Sequence, residues 1–324
     1  MTSGPLVSVV MSAYNGERYL REAMDSILDQ TFTNFEFIVI NDGSTDRTLN
    51  ILGSYDDSRL IVVDQPNLGL TKSLNKGLSI ARGQFIARQD ADDVSIPYRL
   101  ERQIEFMEQN TEVGLVGSAY IEIGQNGQEI HPVVLPQTHE ELYQMMLKGN
   151  YICHGSVLFR KKCLEVVGNY REGLAATEDY DLWLRFLKHF LIINLPEHLY
   201  KWRFNITSKS ATLILRQTTE MAILAEIARE QRATGLDLLK DKNGNEVADI
   251  VRERYKQKPL NQRQYLVATT YHRWGHVLLD RGYWFQGMLF LLKAWLIKPE
   301  DWHTFSCLLA NLRGVWAMRP VRKL

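Results

Sequence analysis

The chain has 324 residues, of which 45% are hydrophobic and 23% charged, enough to bury a full core in one large domain or two modest ones. Its 38 basic and 38 acidic residues balance, so no general attraction to nucleic acid or to an anionic membrane is implied. The two parts of the chain differ, because residues 1–212 hold 20 Lys and Arg against 27 Asp and Glu, whereas residues 213–324 hold 18 against 11.

The cysteines and the longest apolar stretch bear on the compartment. Cys153, Cys163 and Cys307 are odd in number and have no metal-like spacing, which favours reduced thiols in a cytosolic protein. The apolar stretch 283–297 is interrupted by polar residues and is shorter than the roughly 20 residues that cross a bilayer. We therefore expect no transmembrane helix, and the opening letters MTSGP predict no signal peptide.

Strands and helices alternate over the first ninety residues. Continuous apolar runs predict strands that are covered on both faces, at residues 7–11, 35–40, 60–63 and 84–88. Apolar residues at helical spacing predict helices between these strands, at residues 17–30, 47–55 and 71–81. The alternation predicts a doubly wound, mainly parallel α/β sheet with right-handed crossovers.

The remainder of the chain changes character about residue 212. Before that point the pattern predicts strands at 113–123, 129–134 and 156–160 and helices at 139–147 and 178–190. After it, only helices are predicted, at 213–234, 247–256, 262–280, 283–297 and 302–318. We therefore expect two domains, at 1–211 and 212–324, the second of them all-helical.

Acidic residues collect where the predicted strands end, which is where ligands bind in doubly wound sheets. Asp90 and Asp92 stand two apart in an extended segment, so their side chains point to the same side. A divalent cation would relieve their repulsion, and Mg²⁺ or Mn²⁺ suits such ligands together with diphosphate oxygens. The plain alternative is that both are solvated turn residues and that Asp93 caps the next helix.

Five motifs follow one another in a recognisable order: SAYN, NDGSTD, NLGLTKSLNKG, DADD and TEDYD. In this order the sequence resembles glycosyltransferase family 2, the inverting nucleotide-sugar transferases of the GT-A fold, over about residues 6–210. The resemblance implies that residues 6–110 bind the donor and residues 111–211 the acceptor.

The resemblance also implies roles for residues of the donor side. Ala13 and Tyr14 would border the nucleobase, and Asp42 would accept a hydrogen bond from the base or ribose. Asp90 would hold the ribose, and Asp92 would be the protein ligand of a Mn²⁺ or Mg²⁺ ion on the diphosphate. Further donor-side positions implied by the family are Glu17, Lys72 and Ala91.

On the acceptor side, the attacking hydroxyl must lose its proton to a nearby base. The resemblance implies Asp179 as this base and Glu178 as a residue that orients the hydroxyl, although acids are favoured at a helix amino terminus in any case. His154 would donate to acceptor or phosphate, or serve structure alone. Arg203 stands where relatives carry a histidine near the metal, so either the metal has one ligand fewer or Arg203 neutralises the diphosphate.

The resemblance therefore implies that the protein transfers a sugar, with inversion, from a nucleoside-diphosphate sugar to a hydroxyl acceptor. The expected donor is a UDP-sugar, and the expected role is in polysaccharide, O-antigen or other glycan assembly. We expect the reaction in the cytoplasm or at the inner face of the cytoplasmic membrane. One alternative is a sugar-phosphate nucleotidylyltransferase, although the first loop, SAYNGERYL, has a single glycine where those enzymes have a glycine-rich loop. Another is a non-catalytic scaffold that binds nucleotide sugars.

The helical region leaves two further alternatives open. Its tryptophans and terminal cations would suit an anionic membrane that carries a lipid-linked acceptor, or the helices would form a homodimer. The plain alternative is that the tryptophans are core residues and the charges a solvated face. The residues concerned are Trp274, Trp284, Trp295, Trp302, Trp316, Arg319, Arg322 and Lys323.

Overall fold

The structure is a computed structural model that describes residues 4–174, 176–206 and 213–317. Within these ranges nine strands form one sheet with helices on both faces. The strands are β1 (Val7–Ala13), β2 (Phe35–Asp42), β3 (Leu60–Gln65), β4 (Phe85–Asp90), β5 (Val94–Ser95), β6 (Val113–Ile123), β7 (Glu129–Val133), β8 (Leu158–Arg160) and β9 (Leu191–Arg203).

The helices divide into those that connect the strands and those that follow the sheet. The first group is α1 (Leu20–Leu28), α2 (Thr48–Leu52), α3 (Leu70–Ile80), α4 (Arg99–Gln109), α5 (His139–Met145), α6 (Leu164–Val167) and α7 (Glu178–His189). The second group is α8 (Ile214–Thr234), α9 (Gly244–Gln257), α10 (Leu260–Asp280), α11 (Trp284–Ile297) and α12 (Trp302–Ala317).

The first half of the sheet is the parallel arrangement that the sequence predicts. Strands β3, β2, β1 and β4 lie side by side in that order, and every neighbouring pair is parallel. Every residue of β2 is buried, because helices cover both faces. Gly77 lets α3 approach the sheet closely, since a Cβ atom there would lie 2.5 Å from Cγ1 of Val10. The carboxyl ends of β1, β2 and β4 therefore meet at one edge.

The second half of the sheet is mixed. Strand β8 is antiparallel to both β4 and β6, whereas β9 runs parallel to β6 and antiparallel to the short β5. A hairpin joins β6 to β7 through Gly127, whose φ of 80° is the left-handed conformation that the Asn-Gly pair favours. The α/β fold class is confirmed, and the parallel pairing predicted for it dominates the first half.

Two hydrophobic clusters lie on the two faces of the sheet. One face carries Val10, Ile38 and Ile86, which pack under α3, α7, α8 and α9. The other face carries Val9, Phe37 and Ala87, which pack under α1 and α4. The alternation of neighbouring residues between the two clusters follows from the two-residue repeat of a strand.

The five helices after the sheet are those that the sequence predicts, and the first two of them share its core. Ile223 and Leu224 of α8 and Val247 of α9 belong to the cluster on the α3 face. Arg281, which directly follows α10, forms an ion pair with Glu122 of β6. Glu122 is only 2% exposed. The domain boundary at residue 212 stays a prediction, and α8 and α9 beyond it pack against the core of the sheet.

The tryptophans of this helical region have different surroundings. Trp274 stacks on Phe204 at a ring-centroid distance of 6.2 Å, so it is a packing residue, whereas Trp284 is 37% exposed. The cations at 319, 322 and 323 lie outside the described residues. Among the helices of the described ranges, none is both long and apolar enough to cross a membrane.

Candidate active site

A cleft of about 960 Å³ opens at the edge where β1, β2 and β4 end, and it continues to the amino terminus of α7. It brings together residues from both halves of the chain that the sequence analysis singles out. Those that line it are Tyr14, Asp42, Asp90, Ala91, Asp92, His154, Glu178, Asp179 and Arg203. Residues that are far apart in the sequence therefore face one space.

Three of the predicted donor-side residues do not line this cleft. Ala13 is fully buried in β1. The Glu17 carboxylate accepts hydrogen bonds from the backbone nitrogen and Nε of Arg47, at 3.0 and 3.2 Å. The Lys72 ammonium lies 4.0 Å from the Glu172 carboxylate, on the surface. Ala13, Glu17 and Lys72 therefore lie outside the lining of the cleft, and their donor-side roles stay predictions.

Asp42, at the end of β2, organises the loop before α3. Its carboxylate accepts hydrogen bonds from the backbone nitrogens of Leu68 and Gly69, at 2.8 and 2.9 Å, and from Nε2 of Gln65 at 3.0 Å. Burial opposes ionisation of Asp42, but these hydrogen bonds outweigh burial and lower its pKa. The NLG motif is therefore held at the cleft by an ionised Asp42.

The Asp90–Asp92–Asp93 cluster is crowded with negative charge. Burial and then the neighbouring Asp90 carboxylate raise the pKa of Asp92 to about 6. Burial and then the carboxylates of Asp92 and Asp90 raise the pKa of Asp93. The Asp93 carboxylate accepts a 2.7 Å hydrogen bond from the backbone nitrogen of Arg203. Asp93 does not cap a helix, because α4 begins at Arg99 and its N-cap is Tyr98.

Behind this cluster lies a fully buried arginine that the sequence analysis did not single out. The Arg88 guanidinium donates from Nη2 to Oδ1 of Asp90 at 2.6 Å and from Nη1 to the Val10 and Gln89 carbonyl oxygens at 2.6 and 2.8 Å. Its Nε donates to Nε2 of His154 at 3.0 Å. Arg88 therefore holds Asp90 at the cleft and compensates one negative charge of the Asp90–Asp92–Asp93 cluster.

The hydrogen bond from Arg88 also determines which nitrogen of the His154 ring carries the proton. Its Nε2 accepts from Arg88 and lies 2.8 Å from the hydroxyl of Tyr170. A nitrogen that accepts from a guanidinium carries no proton, so the ring is neutral and its proton is on Nδ1. Of the two roles left open for His154, donation to a ligand is thus restricted to Nδ1, and a positive charge on the ring is excluded.

Arg203, at the end of β9, is committed to protein partners. Its guanidinium donates to Oε2 of Glu22 at 2.6 Å, to the Asp92 carbonyl oxygen at 2.7 Å and to the Gly124 carbonyl oxygen at 3.1 Å. Its side chain is 1% exposed and lies over the ring of Tyr19, at 4.4 Å. All three guanidinium nitrogens of Arg203 thus bind protein oxygens, and its role at the diphosphate stays a prediction.

The carboxylates at 90 and 92 fit a divalent cation. Their crowding raises the pKa of Asp92, and a bound cation would reverse the repulsion that causes this rise. Within residues 4–174, 176–206 and 213–317, no three His, Cys, Asp or Glu residues are arranged to hold a metal ion by themselves. A cation here would take its other ligands from phosphate oxygens and water, as Mg²⁺ commonly does.

At the opposite end of the cleft, Asp179 is a buried carboxylate in the first turn of α7. Burial and then the charge of Glu178 raise its pKa to about 7. Its Oδ2 accepts a 2.8 Å hydrogen bond from Nδ2 of Asn150, and its Oδ1 accepts one from the backbone nitrogen of Tyr180 at 2.7 Å. Asp179 therefore changes its charge near neutral pH while its carboxylate is held in a fixed orientation.

Glu178 has an unsatisfied oxygen at the same place. Its side chain is 3% exposed, lines the cleft, and leaves Oε2 buried without a hydrogen-bond partner in the described part of the chain. Such an acceptor is costly unless a ligand satisfies it. The geometry therefore favours a hydroxyl or amide donor at this end of the cleft.

Some lining residues carried no signal in the sequence analysis. Asn150 lies in an irregular segment before β8, and Tyr120 and Trp202 line the cleft as an edge-to-face pair 6.1 Å apart. Gln217 reaches the cleft from α8 and donates to the Ala176 carbonyl oxygen at 2.8 Å. The pairing of β6 with β9 brings Tyr120 and Trp202 to the site, and the packing of α8 brings Gln217.

The fold is that of the GT-A glycosyltransferases. Residues 1–349 of TarS from S. aureus in complex with UDP-GlcNAc match the structure with a TM-score of 0.57 and 18% identity, over 95% of this chain and 91% of that one. The mannosyltransferase PcManGT from Pyrobaculum calidifontis in complex with GDP-Man and Mn²⁺ matches with a TM-score of 0.54 and 17% identity, over 98% and 89%. At these identities the likeness shows the fold alone.

Sequence comparison identifies the family. The model of "Glycosyl transferase family 2" matches residues 8–168. The putative glycosyltransferase EpsE of Bacillus subtilis is 41% identical over 213 residues, which cover 63% of this chain and 74% of EpsE. The amylovoran biosynthesis glycosyltransferase AmsE of Erwinia amylovora is 35% identical over 204 residues, 61% of this chain and 76% of AmsE.

The chain belongs to glycosyltransferase family 2 and is a glycosyltransferase. The resemblance on which the sequence analysis relied is thereby confirmed. The nucleotidylyltransferase and non-catalytic alternatives are set aside, because neither is a glycosyltransferase.

Proposed function

We propose that this protein transfers a sugar, with inversion, from a nucleoside-diphosphate sugar to a hydroxyl acceptor during the assembly of an extracellular polysaccharide or O-antigen. One observation carries the proposal: the Asp90–Asp92 pair and the Asp179 carboxylate, whose pKa is near 7, face one cleft. The relative AmsE is named for amylovoran biosynthesis, which supports polysaccharide as the product class. UDP is the favoured nucleotide, since TarS binds UDP-GlcNAc in this fold.

The residues of this chain would divide the work between the two ends of the cleft. Tyr14, which is 53% exposed at the cleft, offers an aromatic face to the base, and Asp90 offers a carboxylate oxygen to the ribose. Asp92 would hold a divalent cation, which would stabilise the negative charge of the leaving diphosphate.

At the other end of the cleft, the Asp179 carboxylate would take the proton of the acceptor hydroxyl as that oxygen attacks the anomeric carbon. The unpartnered Oε2 of Glu178 would accept a hydrogen bond from a second hydroxyl of the acceptor. We place this reaction in the cytoplasm.

The direct test is to incubate the protein with a panel of UDP-, GDP- and dTDP-sugars and Mn²⁺, with water or simple glycosides as acceptors. Release of the nucleoside diphosphate identifies the donor, and NMR of the product shows whether the anomeric configuration is inverted. Retention of configuration, or release from none of the donors, would count against the proposal.

The proposed metal ligand leads to a prediction about Asp92. We expect Asp92→Asn to weaken the binding of UDP in the presence of Mn²⁺, because the amide removes the charged ligand, and to leave UDP binding without metal unchanged. Titration calorimetry with and without Mn²⁺ measures both. The matched control is Asp64→Asn in β3, whose carboxylate accepts a hydrogen bond from Nδ2 of Asn41 in the neighbouring β2. An equal loss of affinity with and without Mn²⁺ would contradict the assignment.

The surroundings of Asp179 predict opposite pH effects for its two neighbours. The acidic limb of kcat/KM is expected near pH 7, because protonated Asp179 accepts no proton. Glu178→Gln removes a charge that raises the pKa of Asp179, so the limb should move to lower pH. Asn150→Ala removes a hydrogen bond that lowers this pKa, so the limb should move to higher pH. The pH dependence of kcat/KM for donor turnover in the two variants measures these shifts. Shifts in the same direction would contradict the assignment of Asp179 as the base.

A further inference from the structure

One face of α11 carries exposed apolar side chains in a row. Phe285 and Leu296 are 73% and 65% exposed, and Leu289 and Leu292 between them are 40% and 41% exposed. Their spacing of four, three and four residues places them on one side of the helix. We call these four residues the α11 stripe, which runs about 16 Å along the helix at 1.5 Å per residue.

Close packing on the other side of α11 fixes this exposure. Gly287 faces α10 so closely that a Cβ atom there would lie 2.8 Å from the Gly275 carbonyl oxygen, and one on Gly275 would lie 2.7 Å from Cγ of Leu291. Leu291 and Ala294 are buried on this inner side. A rotation of α11 that buried the stripe would break these contacts, so the stripe is a built feature of the fold.

The charge of this part of the chain indicates what covers the stripe. Residues 281–324 contain seven Lys and Arg and two Asp and Glu, and no acidic residue occurs from 281 to 299. Lys293 is exposed beside the stripe, with its ammonium 5.4 Å from the ring centroid of Phe290. An apolar helix face with an exposed cation beside it matches the acyl and phosphate layers of an anionic bilayer.

We propose that the α11 stripe inserts into the interface of a membrane that contains anionic phospholipid, with α11 parallel to the membrane plane. A second copy of the chain fits this surface less well, because pairing two stripes would bring two basic segments together. Phe285 and the three leucines provide the insertion. The proposal is independent of the sugar that the enzyme transfers.

The test is flotation of the full chain with phosphatidylcholine vesicles, with and without phosphatidylglycerol, at low and high salt. We expect binding to the anionic vesicles at low salt and weaker binding at high salt. The double variant Phe285→Ser/Leu296→Ser should bind at least about tenfold more weakly, since two inserted side chains are lost. The matched control is Val166→Ser/Leu236→Ser, which alters side chains of 59% and 66% exposure elsewhere and should bind like the wild type.

A second variant separates charge from insertion. Lys293→Glu should lower binding to anionic vesicles by about tenfold or more at low salt and should not alter binding to neutral vesicles. Wild-type protein that fails to float with phosphatidylglycerol, or a stripe variant that floats like the wild type, would overturn the proposal. So would sedimentation velocity that shows a dimer abolished by Phe285→Ser/Leu296→Ser, since the stripe would then belong to a second copy.

Discussion

Replacing Asp179 with asparagine is expected to slow sugar transfer by about two to four orders of magnitude, the usual contribution of a positioned general base. The amide retains the shape of the side chain and has one carbonyl oxygen, which accepts from either Asn150 or the backbone nitrogen of Tyr180, so donor binding at the far end of the cleft should be unchanged. Single-turnover rates and UDP affinity measure the two effects separately.

The stability of the same variant gives a second readout. The pKa of Asp179 is raised to about 7 in the folded protein, so its ionised form costs folding free energy at pH values above the unfolded pKa. Asparagine removes this cost, and Asp179→Asn should therefore unfold at the same or a higher temperature than the wild type at pH 8. A catalytic loss without a loss of stability is what distinguishes a base from a residue that only supports the helix.

Asp181 is the matched control, because it lies in the same first turn of α7. It is 2% exposed and forms ion pairs with Arg171 at 2.9 Å and Arg185 at 2.7 Å. Asp181→Asn leaves two buried cations without their partner and should lower the melting temperature. If Asp179→Asn transferred sugar at a near wild-type rate, or if both variants merely unfolded, the assignment of the base would fail.

The parallel half of the sheet could be predicted from the sequence because β1, β2 and β4 are buried on both faces and contain apolar runs, and because the partly buried edge strand β3 also begins with such a run. Strand β9 could not, although it has 13 residues. Pro196 and Glu197 interrupt it, and its pairing with β6 shifts register between Ser118 and Ala119. An irregular strand of this kind gives neither of the two periodicities that sequence patterns detect.

The same limit applies to the site. Motif order was sufficient to predict that Asp90, Asp92 and Asp179 converge, because each follows a well-defined strand or starts a helix. It was insufficient for Arg203, whose partner Glu22 lies 181 positions away and is brought near only by tertiary packing. Asn150 was missed for a similar reason, since nothing in its own segment shows that it will face Asp179.

The buried Arg88 gives the largest expected effect on stability. Arg88→Met should lower the free energy of unfolding by about 3–5 kcal/mol, because the buried Val10 and Gln89 carbonyl oxygens lose their donor, at about 1–3 kcal/mol each, and Asp90 loses its cation. It removes the cation beside Asp90 and the donor to the Val10 carbonyl oxygen. The control Arg102→Met removes a 48% exposed arginine from its ion pairs with Glu105 and Glu197, which are 49% and 36% exposed, and should cost less than about 1 kcal/mol.

The pH dependence of this loss distinguishes charge from packing. Asp92 has a pKa of about 6, and without Arg88 the repulsion among the aspartates grows as Asp92 ionises. The difference in unfolding free energy between Arg88→Met and the wild type should therefore be larger at pH 8 than at pH 5, as urea denaturation at the two pH values measures. An equal difference at both would mean that Arg88 fills space and satisfies carbonyl oxygens, and that the aspartates do not depend on its charge.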